Sequence, residues 1–335
     1  MQFNDDYYLG VIKKYHYNPI DFLPINFNIG VLDAEVLQKK WLCHYKGNEF
    51  AEGIRKGEKS IITTGVGLSG TPHIGTLSQI LRAIFLQKTG LNVQFVLGDL
   101  DSYNARNQSL DVLRQRVQQY SKFISQLGFD TNKGVLRKQE GELKVHEVAY
   151  LISKYLTDND FLEAEEDLSD LYQKKKVYPG IEFPVKQSIL LMTADFLSLA
   201  MRDGYENILV MVGLEEHLYV RLAQKVIERM KLPVRFGAVY SKIIKGLNGY
   251  PKMSKSLPGS SITVDMSKEE MTKLIMNEKD SSNPEESVVY QMMCSVSYYS
   301  AQDLEDIKKV YGNDKWVEYK RNYCNMLYDI CKKWS

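Results

Sequence analysis

Hydrophobic and polar positions along this chain follow two alternating rhythms. Ile61, Ile62, Thr63 and Thr64 form a β-branched run that predicts a buried strand. Glycines then break the run at Gly65, Gly67 and Gly70. After Pro72, the positions Leu77, Ile80, Leu81, Ile84 and Phe85 recur at helical spacing until Gly90. Proline suits a first helical turn, where its missing N–H has no intrahelical partner. Strand, glycine loop and helix in this order commonly start a nucleotide site in a parallel α/β sheet, with N–H groups facing phosphate.

The alternation continues downstream. Residues 93–97 predict a second strand, with 98–104 at its carboxyl end. Leu110, Leu113, Val117, Tyr120, Ile124 and Leu127 step by three and four, an amphipathic helix with a core-facing stripe, stopped by Gly128. Another helix is expected over 145–156. Charge runs at 163–176 (Glu165, Glu166, Asp167, then Lys174, Lys175, Lys176) mark a solvated insertion between two halves of the sheet. A buried pattern returns over 184–203, a strand over 208–212, and a helix carrying Leu218, Leu222, Val226 and Met230. Residues 236–244 predict the last strand. From 265 onward the pattern is helical, clearest at 302–310 and 315–333. The expected organisation is a leader (1–58), an α/β domain (59–262, with an insertion near 145–185) and a small helical domain (263–335). The leader carries many aromatics (Tyr7, Tyr8, Tyr15, Tyr17, Phe22, Phe27), too much apolar surface for a disordered arm, and is expected to pack on the main domain.

Composition adds boundaries. The chain has 335 residues and 44% hydrophobic content, enough for one large core and a smaller appendage. No apolar run is long enough to cross a membrane, and residues 1–8 are too polar for a secretory leader. Cys43, Cys294, Cys324 and Cys331 lack CxxC spacing, which points away from a disulfide framework or zinc knuckle and towards a reducing, cytoplasmic setting. A formal net charge of +1 does not advertise a polyanionic partner, although a local patch would suffice for one.

Several residues invite chemical readings. Gly65-Val66-Gly67-Leu68-Ser69-Gly70 fits the dinucleotide fingerprint, which wants an acid about 20 residues on at the end of the next strand; Asp99 comes too late. Asp99 and Asp101 stand where ligands bind in open α/β sheets, or form a solvated turn that caps the next helix. Asp195 is a lone carboxylate in apolar surroundings, so it should meet a helix terminus, an internal partner or a ligand. His217 reads as a proton carrier or, preferably, as a partly exposed capping residue. Residues 250–256, Tyr-Pro-Lys-Met-Ser-Lys-Ser, make a mobile cationic loop of the kind a polyphosphate leaving group requires, the plainer reading being an exposed basic turn.

Two of these stretches carry a resemblance. Pro72-His73-Ile74-Gly75-Thr76 resembles the HIGH signature of class I aminoacyl-tRNA synthetases, with Thr in the fourth place, and Lys252–Ser256 match the KMSKS loop of that class letter for letter. Residues 257–262 continue as in tryptophanyl enzymes, and over 60–262 the motif order resembles the tyrosyl/tryptophanyl subgroup. The resemblance implies a Rossmann-like doubly wound parallel sheet with a small C-terminal helical domain. It implies activation of an amino acid by ATP with Mg²⁺, then transfer to tRNA, in a homodimer. ATP would be held by Gly67, Ser69, Thr71, His73, Gly75 and Thr76, with Gly213 and Glu215 at its ribose. Lys252, Met253, Ser254, Lys255 and Ser256 would serve the pyrophosphoryl end. The 191–197 segment resembles the tryptophanyl one in which Asp accepts the indole N–H, so Asp195 would read the side chain beside Met192. Asp99, Asp101 and Glu216 complete the substrate set.

Departures bear on identity. Glu216 replaces the family's Gln, Asp101 stands where a His is frequent, and residues 302–335 hold seven Lys and Arg against six Asp and Glu, hardly a phosphate-binding face. Alternatives are a paralogue that delivers its adenylate to another acceptor, tyrosine as the substrate, and a dinucleotide enzyme built on the glycine turn.

Overall fold

The computed structural model describes residues 5–17, 25–106, 108–171, 182–253 and 259–334. The leader supplies α1 (Asp5–Lys14), α2 (Ala34–Lys40), β1 (Cys43–Tyr45) and α3 (Gly47–Arg55). The first half of the sheet unit follows as β2 (Ser60–Gly67), α4 (Ile74–Lys88), β3 (Val93–Gly98), α5 (Asp99–Arg106), α6 (Leu110–Leu127) and β4 (Gly134–Lys138). Then come α7 (Leu143–Ser153), α8 (Asp158–Leu171), α9 (Phe183–Met201), β5 (Asn207–Gly213), α10 (His217–Met230) and β6 (Arg235–Ser241). The tail is helical: α11 (Lys268–Asn277), α12 (Val288–Ser295), α13 (Ala301–Lys309) and α14 (Asp314–Cys331).

The strands form one sheet in the order β1-β6-β5-β2-β3-β4. All neighbours run parallel except β1, which pairs antiparallel with β6 through Cys43↔Tyr240 and Tyr45↔Ala238. The sheet is therefore mixed, and the leader contributes to it directly. From β2 the chain winds outward to β3 and β4, then returns to β5 on the other side. The carboxyl ends of β2 and β5 thus form the topological switch point, where such sheets bind ligands. Alternate strand residues face opposite ways: Leu209 and Met211 join one core with α4, α6 and the tail helices, and Ile208, Val210 and Val212 join another with α1, α7, α9 and α10. The tail is bound into the first core, where Trp334 meets Tyr120 and Phe123 edge-on at 5.1 and 5.3 Å.

Several expectations change. β2 continues through Gly65 and Gly67 and does not break there. A Cβ at Gly65 would lie 2.6 Å from the Val96 carbonyl oxygen, so glycine is needed for the close approach of β3. Pro72 precedes the N-cap residue His73 and lies outside the first turn of α4. The acidic half of the 163–176 stretch continues helix α8, with Phe161 and Ala164 buried; its lysine half lies outside the described residues. Two short strands escape the periodicity: β1 has three residues, and β4 turns Arg137 into the protein where an apolar residue would signal a strand. α6 is capped as its sequence demands, by Ser109 at the start and by left-handed Gly128 at the end. Among the described residues no helix is long and apolar enough to cross a membrane.

Asp160 joins α8 to α10. Its carboxylate is buried, accepts from Arg229 at 2.6 and 2.9 Å and from Thr157 N at 2.8 Å, and the Arg229 hydrogen bond holds it well below the usual carboxylate range. A depressed carboxyl stabilises the fold above its unfolded pKa and loses that contribution as pH falls through the folded one. Asp160→Asn should cost roughly 2–3 kcal/mol at pH 7, with the deficit shrinking as pH drops below about 4, measured by urea unfolding of both proteins across pH 2–7.

Candidate active site

A cleft of about 350 Å³ opens at the switch point, lined by the end of β2, the start of α4, α5, the end of β5 and the segment after β6. His73 governs its edge. The residue is extended (φ −105°, ψ 175°), and its Nδ1 accepts from Thr76 N at 3.2 Å, so the side chain caps α4 as Ser or Asp would. An imidazole that accepts at Nδ1 carries its proton at Nε2 and can donate there. A Cβ at Gly75 would stand 2.7 Å from the His73 ring, so only glycine lets the ring fold back over the helix start.

The segment after the lysine loop is stitched to this helix start. Ile74 N donates to Ile262 O at 3.1 Å, Val264 N donates to Pro72 O at 3.0 Å, and Thr71 Oγ1 donates to Asp265 Oδ2 at 3.1 Å. His73 and Thr263 form a β-bridge. On the near side of the loop, Met253 N donates to Ile244 O at 3.2 Å, and the Met253 side chain is buried in the core. Lys252 and Met253 line the cleft with His73. Ser254, Lys255 and Ser256 lie outside the described residues.

The β5 end presents Gly213, Glu215 and Glu216 to the same cleft, opposite Asp101. A Cβ at Gly213 would collide with the Glu215 carboxylate, which folds back over it. Burial pushes the Glu215 carboxyl up, against the attraction of Lys252 and Arg82. Burial, helped by Glu215 and Asp101, raises Glu216 to about 8. Burial therefore favours the protonated form of Glu216, an acid with one O–H to donate. Its difference from glutamine is correspondingly smaller than the sequence suggests.

A side pocket of about 90 Å³ shares Gly65–Gly67, Asp101 and Glu216 with the cleft. Met192, Asp195 and Phe196 lie on one face of α9 and line it. Asp195 has an internal partner: Arg137 donates to Oδ1 at 2.8 Å and Gln139 Nε2 donates to Oδ2 at 2.7 Å. Burial raises the Asp195 carboxyl, and Arg137 opposes that rise. Each carboxylate oxygen keeps a second lone pair for a ligand donor. Gln139 is the hub. Its N–H donates to Asp99 Oδ1 at 2.8 Å, and its Oε1 accepts from Asp101 N at 3.0 Å.

The region from 55 to 329 matches the family model for class I tRNA synthetases (W and Y). This chain belongs to that family. Among its relatives, the tryptophan–tRNA ligase of Methanopyrus kandleri is 24% identical over 97% of this chain and 85% of its own length. The tyrosine–tRNA ligase of Methanocaldococcus jannaschii is 26% identical over 67% of each. The tryptophanyl-tRNA synthetase structure from Aeropyrum pernix superposes with a TM-score of 0.79 at 19% identity, over 98% of this chain and 92% of that one.

In this synthetase the cleft brings together His73, Lys252, Met253, Gly67, Ser69, Gly75, Thr76, Gly213, Glu215, Glu216 and Asp101. Met192 and Asp195 stand in the adjoining pocket. Two residues fall elsewhere. Thr71 pairs with Asp265 outside the cleft lining, and Asp99 spends its carboxylate on the N–H groups of Gln139 and Glu140. Asp99 acts on the loop that carries Gln139. His217 is fully buried: Tyr17 Oη lies 2.8 Å from Nδ1, with Tyr15 and Tyr240 edge-on around the ring, so it is no exposed cap. The sequence reading missed Arg82, Gln79, Gln139 and Arg137. Arg82 and Gln79 had a signal, polar side chains inside the helical run 77–85. Arg137 and Gln139 sit on or just after β4 and had none.

The raised Glu216 pKa has a functional sign. Above pH 8 this side chain becomes an anion in a cleft that serves an ATP-dependent family, and like charges repel. The KM for ATP should rise severalfold between pH 7 and 9 in the wild type and clearly less in Glu216→Gln, where Glu215 still titrates, measured by initial rates at fixed ionic strength.

Proposed function

We propose that this synthetase activates tryptophan with ATP, releasing pyrophosphate, and then transfers the acyl group to tRNA. The observation that carries the reading is the side pocket ending in buried Asp195, opening directly onto the cleft edged by His73 and Lys252. An indole offers one N–H, and a buried acceptor rejects an analogue that lacks it. The apolar walls of Met192, Phe196, Val96 and Val212 suit the rest of the ring. Relatives named as tryptophan–tRNA ligases support the choice.

In the first half-reaction the amino-acid carboxylate attacks the α-phosphorus. One P–O bond forms as the bond to pyrophosphate breaks, and the electron pair leaves with pyrophosphate. Such a reaction needs in-line positioning and positive charge more than covalent help. This chain supplies the His73 Nε2–H and Lys252, joined by Lys255 and Ser256 from the same motif. Gly213 and Glu215 serve the ribose, with neutral Glu216 as a donor. In the second half-reaction a tRNA hydroxyl takes the acyl group and AMP departs. Among the described residues no group of three His, Cys, Asp or Glu side chains is placed to hold a metal ion. These residues thus offer no cage for Mg²⁺, which in phosphoryl-transfer sites is commonly bound through substrate phosphates.

ATP–pyrophosphate exchange screened over the twenty amino acids tests the reading; exchange driven by tyrosine or by none of them would overturn it, and exchange without tRNA loading would select the paralogue. Asp195→Ala should raise the tryptophan KM at least tenfold or abolish exchange, with unfolding midpoints recorded because Arg137 loses its partner; unchanged kinetics remove Asp195 from recognition. Lys255→Ala should lower the exchange kcat at least a hundredfold with little change in ATP affinity, the signature of a group used in the transition state.

A further inference from the structure

Arg82 lines more than the cleft. It also borders two adjoining cavities of about 350 and 380 Å³ between α2, α4 and the α12–α13 region, which share Lys39, Lys40, Arg82, Cys294, Ser295 and Leu304. Arg82 is 7% exposed, and its Nε is buried with no hydrogen-bond partner among the described residues. The Lys40 ammonium lies over the Phe85 ring, 4.6 Å from its centroid, and among the described residues no hydrogen bond or ion pair reaches it. Burial and repulsion from Arg82 lower Lys40 to about 8, so the two cations share one poorly hydrated space. The acids that line these two cavities are spent elsewhere. Glu35 and Glu305 lie 3.5 and 3.6 Å from Lys39, and Glu285 lies 2.7 Å from Lys308.

Buried charges persist in proteins when they are paired; here Glu215 attracts Arg82 from the cleft side, but among the described residues neither Arg82 nor Lys40 closes an ion pair. We propose that this cavity is a binding site for a phosphate-type oxyanion, distinct from the cleft although it shares Arg82, Lys242, Ile243 and Ile244 with the cleft wall. The guanidinium offers N–H donors in a fork that matches such an anion, the ammonium adds a point charge, and the Ser295 hydroxyl on the wall adds a third donor.

The test uses the full chain, inorganic phosphate as the probe, and chloride at matched ionic strength as the control, read by calorimetric titration and thermal unfolding at pH 7. Binding should be saturable and raise the unfolding midpoint, and it should persist with the cleft filled by a non-hydrolysable ATP analogue and in Lys252→Met. Lys40→Met should weaken phosphate binding at least tenfold while keeping or raising the midpoint without phosphate, because it removes an unpaired cation. Ser295→Ala should weaken it severalfold and serves if the first variant does not fold. Absence of saturable binding, its loss on filling the cleft, or full retention in both variants would overturn the assignment.

Discussion

Two main-chain hydrogen bonds hold the candidate active site of this synthetase together, from Ile74 N to Ile262 O and from Val264 N to Pro72 O. They tie segments nearly two hundred residues apart in sequence, and closing so long a loop carries an entropic cost before any contact repays it. The rest of the sheet makes closure possible. β2 and β6 end on the same side of one sheet, with β5 between them, so the helix start after β2 and the loop after β6 emerge as near neighbours. Backbone pairing then fixes their register, and the cationic loop leaves from a defined base.

That base sits in a cleft of mixed charge. Asp101, Glu215 and Glu216 face Lys252, Arg82 and His73 within one solvent-restricted volume. Burial dominates the titration of both glutamates and pushes each towards its protonated form. A site arranged this way is poised for a ligand that is itself mixed: polyanionic at one end, hydroxyl-bearing in the middle, and carrying an ammonium and a carboxylate at the other. The side pocket solves a different problem. There the Arg137–Asp195–Gln139 network satisfies each charge internally, and its cost is offset by a rigid acceptor that does not depend on solvent.

What could be read from the chain alone follows from how local each signal is. The helix of 110–127 announced itself by its stripe and by Gly128, and His73, Gly75 and Lys252 were visible as short motifs. β1 and β4 were not legible, because three residues carry no periodicity and because β4 is an edge strand whose inward residue is an arginine. Its reason for being there, Asp195, lies on a helix some sixty residues later. His217 misled for the same reason. A histidine at a helix start looks solvated until the tyrosines that enclose it arrive from the leader and from β6. Asp99 was sensibly placed at a strand end, but a carboxylate there can serve either a ligand or a neighbouring loop, and only coordinates separate the two.

The two ends of the sheet have a consequence for how the chain behaves while folding. A parallel sheet with open flanks is a template for strands from other molecules. Here one flank closes with β1, too short to extend a ladder, and the other closes with β4, whose Gly134-Val135-Leu136-Arg137-Lys138 places two cations in five residues. Recruitment of a foreign strand at either border is discouraged, and the leader doubles as an in-built guard against aggregation.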